Sequence, residues 1–153
     1  MNSASNKAAI PNPALKAFET LVGEWKTLGT HPQVRDTILH GHTSFKWTEG
    51  GAFLIMHSEI YDDKFPDTIS IFGSDNSLGE YFMLSFDERE VSRKHDVVFQ
   101  DNVLKWWRNA PGFSQRYTFT FTDNGNTIIS KGELSKDDAT WEKDLDLTYS
   151  RVD

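Results

Sequence analysis

The sequence predicts an all-β protein, a closed antiparallel meander β-barrel of about ten strands with one short N-terminal helix. From Trp25 onwards apolar and polar residues alternate, which is the period of a strand with one buried face. Turn signals such as Gly50-Gly51, Asp101-Asn102 and Asn124-Gly125 separate the alternating segments at the spacing of sandwiches and barrels. An open sheet of this size would leave exposed edges, and closure into a barrel removes them.

The composition indicates one globular domain. The 153 residues include eleven Phe and five Trp, which is ample apolar material for a single core. We therefore expect a flexible tail over residues 1–11 and a single barrel domain over residues 12–153.

Charge and cysteine usage exclude several functional classes. The net charge of −7 argues against nucleic acid or an anionic membrane surface as partners. The chain has no cysteine, which rules out disulfides, thiolate catalysis and Cys-ligated zinc. The N-terminal residues lack the apolar core of a signal peptide, and no apolar run approaches the roughly 20 residues that cross a bilayer. We expect a cytoplasmic protein.

The predicted helix begins at Asn12, a good N-cap, with Pro13 at the first helical position. Its apolar stripe is formed by Leu15, Phe18, Leu21 and Val22. Gly23 ends the helix, and Trp25 opens the first strand.

Three turns set the predicted strand registers. Around Gly50-Gly51 the inner face collects Thr43, Phe45, Trp47, Leu54, Met56, Ser58 and Ile60. Around Asp101-Asn102 it collects His95, Val97, Phe99, Leu104, Trp106 and Arg108. Around Asn124-Gly125 it collects Tyr117, Phe119, Phe121, Ile128, Ser130 and Gly132, with Arg116 opposite Glu133 outside.

Two further segments are read from alternation alone. The hairpin around Asp75–Gly79 has two plausible inner faces, Ile69/Ile71/Met83 and Phe72/Phe82/Leu84, and the sequence leaves this choice open. In the last strand Leu145, Leu147, Tyr149 and Arg151 alternate with Asp144, Asp146, Thr148 and Ser150.

Gly23-x-Trp25 at the first strand and Arg151 at the last resemble the lipocalin-like (calycin) barrels. The resemblance implies a cation–π contact between Trp25 and Arg151. Three longer stretches, Phe45–Leu54, Trp106–Arg116 and Trp141–Arg151, look like a group of small one-domain bacterial proteins of uncharacterised function with this fold. Related barrels of the nitrobindin type bind haem through a histidine near the C-terminus. This chain has no histidine after His95, and we expect no cofactor.

A barrel of about ten strands has room for a small ligand, and the inner faces suggest which residues would contact it. The apolar candidates are Trp47, Met56, Trp106, Tyr117 and Phe119. The polar candidates are Ser58, His95 and Arg108, which could orient a carboxylate or hydroxyl group. A solvated Arg108 at the barrel mouth is the alternative interpretation of that residue.

Other clusters are weighed against simpler interpretations. His40 and His42 share one strand face, close to His57 and Glu59, and could bind a divalent metal ion. We interpret them instead as a polar outer face and expect no metal site. Asp87, Arg89 and Arg93 lie in a charged segment that we interpret as a surface connection. Large apolar residues on the outer faces, namely Phe53, Ile55, Trp107 and Ile129, suggest a homodimer.

The first functional hypothesis is a barrel that binds a small apolar or aromatic molecule. The alternative is an enzyme of the same fold that acts on a small apolar substrate, with His95, Arg108 or Tyr117 as acid–base groups. An interaction protein that uses the outer face around Phe53 and Trp107 ranks third. No catalytic motif supports the enzyme hypothesis.

Overall fold

The computed structural model describes residues 11–152, so the predicted tail lies, apart from Pro11, outside the described residues. The strands are β1 Gly23–Thr30, β2 Leu39–Thr48, β3 Phe53–Ile60, β4 Thr68–Asp75, β5 Glu80–Asp87, β6 Ser92–Gln100, β7 Val103–Arg108, β8 Ser114–Thr122, β9 Thr127–Ser135, β10 Glu142–Lys143 and β11 Asp146–Arg151. The N-terminal helix, Pro13–Leu21, is of the 3₁₀ type. Three-residue 3₁₀ turns occupy Pro32–Val34, Glu49–Gly51 and Asp123–Gly125.

The strands form a closed ring in which neighbours are antiparallel. β1 to β9 follow one another around the barrel, and β11 completes it by pairing with both β9 and β1. The two-residue β10 pairs with β9 beside the ring. Ten strands therefore build the barrel, and the predicted fold class is confirmed.

The N-terminal helix begins as predicted and covers one end of the barrel, called here the closed end. The Asn12 side chain accepts a hydrogen bond from the Ala14 amide at 3.0 Å, which satisfies one free N–H of the first turn. The backbone N–H of Asn12 donates to the Gly51 carbonyl at 2.8 Å, in the turn between β2 and β3. Because Leu15, Phe18 and Leu21 are fully buried, the apolar stripe anchors the helix.

Phe18 is the centre of an aromatic plug at the closed end. Its ring meets those of Phe72, Tyr81 and Phe99 edge to face, with centroids 5.4, 4.9 and 5.3 Å away. Edge-to-face contacts of this kind add to the free energy gained by burial alone. The plug fills this end of the barrel with side chains.

Trp25 and Arg151 join the first strand to the last. They are paired residues of β1 and β11, and the Arg151 guanidinium carbon lies 4.2 Å from the Trp25 ring centroid. The guanidinium also donates to the backbone carbonyls of Thr20, Val22 and Gly125, at 2.7, 2.8 and 3.1 Å. The cation–π contact implied by the resemblance is therefore confirmed, and it holds the helix end as well as the two strands.

The registers predicted at the three turns are confirmed. Trp47 pairs with Leu54 across the first turn, and Val97 pairs with Trp106 across the second. Across the third turn Arg116 pairs with Glu133, and their side chains form an ion pair at 2.9 Å. Positive φ angles at the turn residues Asp101, Asn102, Asn124 and Gly125 explain why short polar residues and glycine stand there.

The hairpin between β4 and β5 matches neither inner face considered from the sequence. Phe72 pairs with Met83, and both side chains are buried. Asp75 pairs with Glu80, which leaves a four-residue turn and shifts the register by one relative to the two alternatives. Ile69 consequently points outwards and is 45% exposed.

The C-terminal alternation is correct only within β11. Leu147 and Tyr149 are buried, while Thr148 and Ser150 are exposed, as predicted. Asp144 precedes the strand and is only 8% exposed. The predicted alternation does not extend to Asp144, because the strand begins only at residue 146.

Candidate functional site

The interior of the barrel holds a cavity of about 430 Å³ away from the plug. The loops after β1, β3, β5, β7 and β9 meet at this end, called here the open end. Exposed loop residues such as Lys64 and Lys136 line the cavity together with buried residues of the barrel wall, so the cavity reaches the surface. Its volume lies within the roughly 300–1,000 Å³ of small-molecule sites.

Aromatic side chains form the floor of this cavity. The Trp106 ring lies 4.3 Å from the Phe119 ring and 5.8 Å from the Tyr117 ring, measured between centroids. Phe119 continues the layer to Tyr149, at 5.3 Å, and Trp106 also contacts Phe72 of the plug, at 6.1 Å. The floor thus offers an apolar surface to a ligand and separates the cavity from the closed end.

Small hydroxyl side chains line the walls above the floor. The serines are Ser58, Ser70, Ser85 and Ser130. Ser58 lies within hydrogen-bond distance of Thr43, with 3.1 Å between the two hydroxyl oxygens. Small residues at these inward positions leave open the volume that larger side chains would fill.

His95 is a buried histidine of β6 that lines the cavity and is 5% exposed. Its Nδ1 has no hydrogen-bond partner among the described residues. Burial, followed by the positive charges of Arg108 and Arg93, lowers the pKa of His95 to about 4. At neutral pH the ring is uncharged, and its nitrogens can donate one hydrogen bond and accept one.

Asp144 is the centre of a polar cluster at the open end that the sequence did not indicate. Its Oδ2 accepts hydrogen bonds from the Gln115 amide at 2.8 Å and from the Tyr117 hydroxyl at 3.0 Å. Its Oδ1 lies 3.0 Å from His31 Nε2. Since His31 Nδ1 accepts from the Gln33 amide at 3.0 Å, the ring proton is on Nε2 and points at Asp144.

The same cluster fixes the state of Tyr117. Burial and the neighbouring Asp144 carboxylate raise the pKa of Tyr117 well above its ordinary value. The phenol therefore stays protonated and serves as a hydrogen-bond donor. Gly132 makes room for the Tyr117 ring, because a Cβ at residue 132 would lie 2.6 Å from Tyr117 Cζ and 2.8 Å from the Leu145 carbonyl oxygen.

Arg93 lines the cavity at the open end, contrary to its interpretation as part of a surface connection. The connection between β5 and β6 is only four residues long, and Arg93 lies within β6, two residues before the inward-facing His95. Its guanidinium donates to Gln115 at 3.3 Å and lies 5.2 Å from the Phe113 ring centroid. Six of the eight predicted site residues also line the cavity, namely Met56, Ser58, His95, Trp106, Tyr117 and Phe119.

The structure places the other two predicted site residues elsewhere. Trp47 pairs with Leu54 next to the turn at the closed end and packs against the core. Arg108 ends β7, opposite Gln115 of β8, and does not line the cavity directly. Its positive charge nevertheless reaches His95 and Arg93, whose pKa values it lowers.

The histidines of β2 do not belong to a metal-binding group of three or more side chains among the described residues. His42 Nε2 lies 2.9 Å from Glu24 Oε2, and His40 is exposed. Between residues 11 and 152 the structure contains no group of three or more His, Asp or Glu side chains that could hold a metal ion. No helix in this part of the chain is long and apolar enough to cross a membrane.

Comparisons with known proteins extend only to the fold. No family model matches the sequence, and no curated protein matches it. Solved structures do match: the crystal structure of Rv2717c from M. tuberculosis aligns with a TM-score of 0.66 at 12% sequence identity. The alignment covers 96% of this chain and 100% of that chain. At this identity the similarity concerns the barrel and not its contents.

Proposed function

We propose that this protein binds a small apolar or aromatic molecule inside the barrel. The observation that carries the proposal is the cavity of about 430 Å³, with an aromatic floor and a few inward polar groups. A concave and largely apolar pocket with convergent polar groups is the usual form of a small-molecule site. His95 supports the proposal, because its ring lines the cavity and is uncharged at neutral pH.

Native mass spectrometry of the protein purified from its own host tests this function. The expected result is a co-purifying small molecule of mainly apolar or aromatic character. Occupation of the cavity is then checked with Ser85→Phe, which places a ring at a half-buried cavity position. The matched control is Ser150→Phe on the exposed face of β11.

The Ser85→Phe variant should lose the co-purified molecule while the control keeps it. Both variants should unfold at urea midpoints close to that of the unsubstituted protein, because each position has open space beside it. A barrel that is consistently empty, or that retains the molecule after Ser85→Phe, would contradict the proposal.

An enzyme of the same fold is the second candidate. Shifted pKa values at His95 and Tyr117 favour it, because such shifts concentrate at catalytic sites. Both shifts nevertheless keep their groups uncharged at neutral pH, whereas an efficient general base has a pKa near the working pH. Turnover of the co-purified molecule that is lost in His95→Gln and kept in His57→Gln would favour catalysis over binding.

We further propose that two copies associate through the outer face of β3 to β5. Ile69 and Phe86 are paired there and are 45% and 41% exposed, and Phe53 is 37% exposed. Large exposed apolar side chains on one face are typical of interfaces. Sedimentation velocity at micromolar concentration should give a dimer mass that Ile69→Lys converts to a monomer and Thr148→Lys leaves unchanged. A monomer mass for the unsubstituted protein would refute the association.

A further inference from the structure

Two arginines at the open end have no acidic partner among the described residues. Arg93 lines the cavity, and Arg108 faces Gln115 at the end of the neighbouring strand β7. Neither forms an ion pair with a carboxylate among residues 11–152, whereas Arg89 and Arg116 each do. This is notable in a chain whose net charge is −7.

The positive charge of Arg108 disfavours the charged form of Arg93. The pKa of Arg93 lies below its ordinary value because of burial and then because of the positive charge of Arg108. An arginine keeps its proton under such conditions, so the repulsion persists in the folded protein. An anion bound beside Arg93 would relieve it, and the effect is largest in a partly desolvated cavity.

The nearby carboxylates are already engaged. Asp87 is bonded to Arg89, with 2.7 Å between Oδ2 and Nη2, so this pair carries no net charge. Asp144 accepts hydrogen bonds from Gln115 and Tyr117 and lies against the ring proton of His31. Neither aspartate can turn towards Arg93 without breaking these contacts.

The charged groups around the cavity favour an anionic ligand. Arg93 and Arg108 contribute two positive charges, and Asp144 contributes one negative charge. His95 is uncharged at neutral pH, and the exposed side chains of Lys64 and Lys136 add further positive charge. The lining of the cavity therefore carries an excess of positive charge, which a bound anion would balance.

We propose that the ligand of the cavity is an apolar or aromatic carboxylic acid whose carboxylate binds the Arg93 guanidinium. The inference rests on the proposed function. Arginine suits this role because its planar group can make two parallel hydrogen bonds to a carboxylate. Arg108 on the next strand adds positive charge, and the His95 ring, which also lines the cavity, can donate a hydrogen bond. The apolar part of the ligand then lies on Trp106 and Phe119 of the floor.

A matched series of probes tests the carboxylate. The series is 4-phenylbutyrate, 4-phenylbutanamide, 4-phenylbutylamine and 4-phenylbutyl phosphate, which share an apolar part and differ in the head group. Binding is measured by isothermal titration calorimetry on the full chain. The acid should bind about tenfold more tightly than the amide, since charge-assisted hydrogen bonds are roughly twice as strong as neutral ones.

The variants are Arg93→Gln and Arg108→Gln, with Lys105→Gln as the control. Lys105 is an exposed residue on the outer face of β7, so its replacement removes the same charge away from the cavity. Arg93→Gln should reduce the preference for the acid to about twofold or less, and Arg108→Gln should reduce it partly. Lys105→Gln should leave it unchanged. Amide binding by each variant shows that its cavity is still folded.

The outcomes distinguish a failure of the carboxylate proposal from a failure of the proposed binding function. Equal binding of acid and amide, or a preference that survives Arg93→Gln, overturns the carboxylate and leaves the binding function standing. Tighter binding of the phosphate ester than of the acid overturns the assignment of a carboxylate. If none of the four probes binds and no molecule co-purifies, both proposals fail.

Discussion

The stability of the barrel should depend on pH through His95. This ring is 5% exposed, and its pKa is about 4 in the folded protein against an ordinary value of 6.5. Between these two values the unfolded chain takes up a proton that the folded chain does not bind. The free energy of unfolding therefore falls as the pH decreases from 6.5 towards 4, and it is unaffected by this group above pH 7.

The size of the effect follows from the shift. One pKa unit corresponds to about 1.4 kcal/mol, so the full difference amounts to about 3 kcal/mol. Between pH 7 and pH 5 most of the unfolded chain becomes protonated at this position, while the folded chain remains largely neutral. His95 should thus contribute a loss of about 2 kcal/mol over this range.

Urea unfolding at pH 7 and pH 5 measures the effect, with His95→Gln as the variant and His57→Gln, an exposed histidine, as the control. Acidic groups titrate in all three proteins and cancel in the comparison. The loss between the two pH values should be about 2 kcal/mol smaller in His95→Gln than in the control. Equal losses in both variants, or an NMR titration that places the pKa of His95 above 6, would refute the reasoning.

Three further predictions concern the contacts that hold the barrel and the open end. Arg151→Met removes the Trp25 contact and three hydrogen bonds to carbonyls, and should lower the free energy of unfolding by about 2–4 kcal/mol in urea, whereas Arg35→Met should change it little. Asp144→Asn places an amide group against the hydrogen-bond donors of Gln115, Tyr117 and His31, and should lower the free energy of unfolding by about 1–3 kcal/mol in urea. The control is Asp63→Asn at an exposed position. An unchanged urea midpoint for Asp144→Asn would contradict the hydrogen-bond network. Gly132→Ala should lower the free energy of unfolding by about 1–3 kcal/mol in thermal unfolding, since the added methyl group collides with Tyr117. In a Tyr117→Ala background, the same substitution should cost much less.

The strand registers were accessible from the sequence because they depend on neighbours along the chain. Two-residue turns with positive φ angles specify which residues face each other, and alternation then assigns the inner face. The β4–β5 hairpin shows the limit of this reasoning. Its turn has no comparable signal, and both faces carry apolar residues, since Ile69 and Phe86 lie outside while Phe72 and Met83 lie inside.

The apolar residues of the candidate site could be predicted from the sequence, whereas its polar residues could be predicted only in part. Met56, Trp106 and Phe119 follow from the registers and line the cavity. Arg93 could have been found by extending the His95 register back by two residues, since both lie in β6. Asp144 had no such signal, because it lies in an irregular segment where the side-chain direction is not periodic.

The sequence by itself determined that the chain alternates, where it turns and which aromatic residues point inwards, because these are properties of local backbone geometry. Only the tertiary structure decided where the cavity lies and which polar groups meet at its open end. His31 and Asp144 are 113 residues apart in the chain and come within 3.0 Å only when β11 closes the ring. Closure decides such contacts, because barrel curvature brings side chains together across strands whose separation in sequence carries no information about their distance.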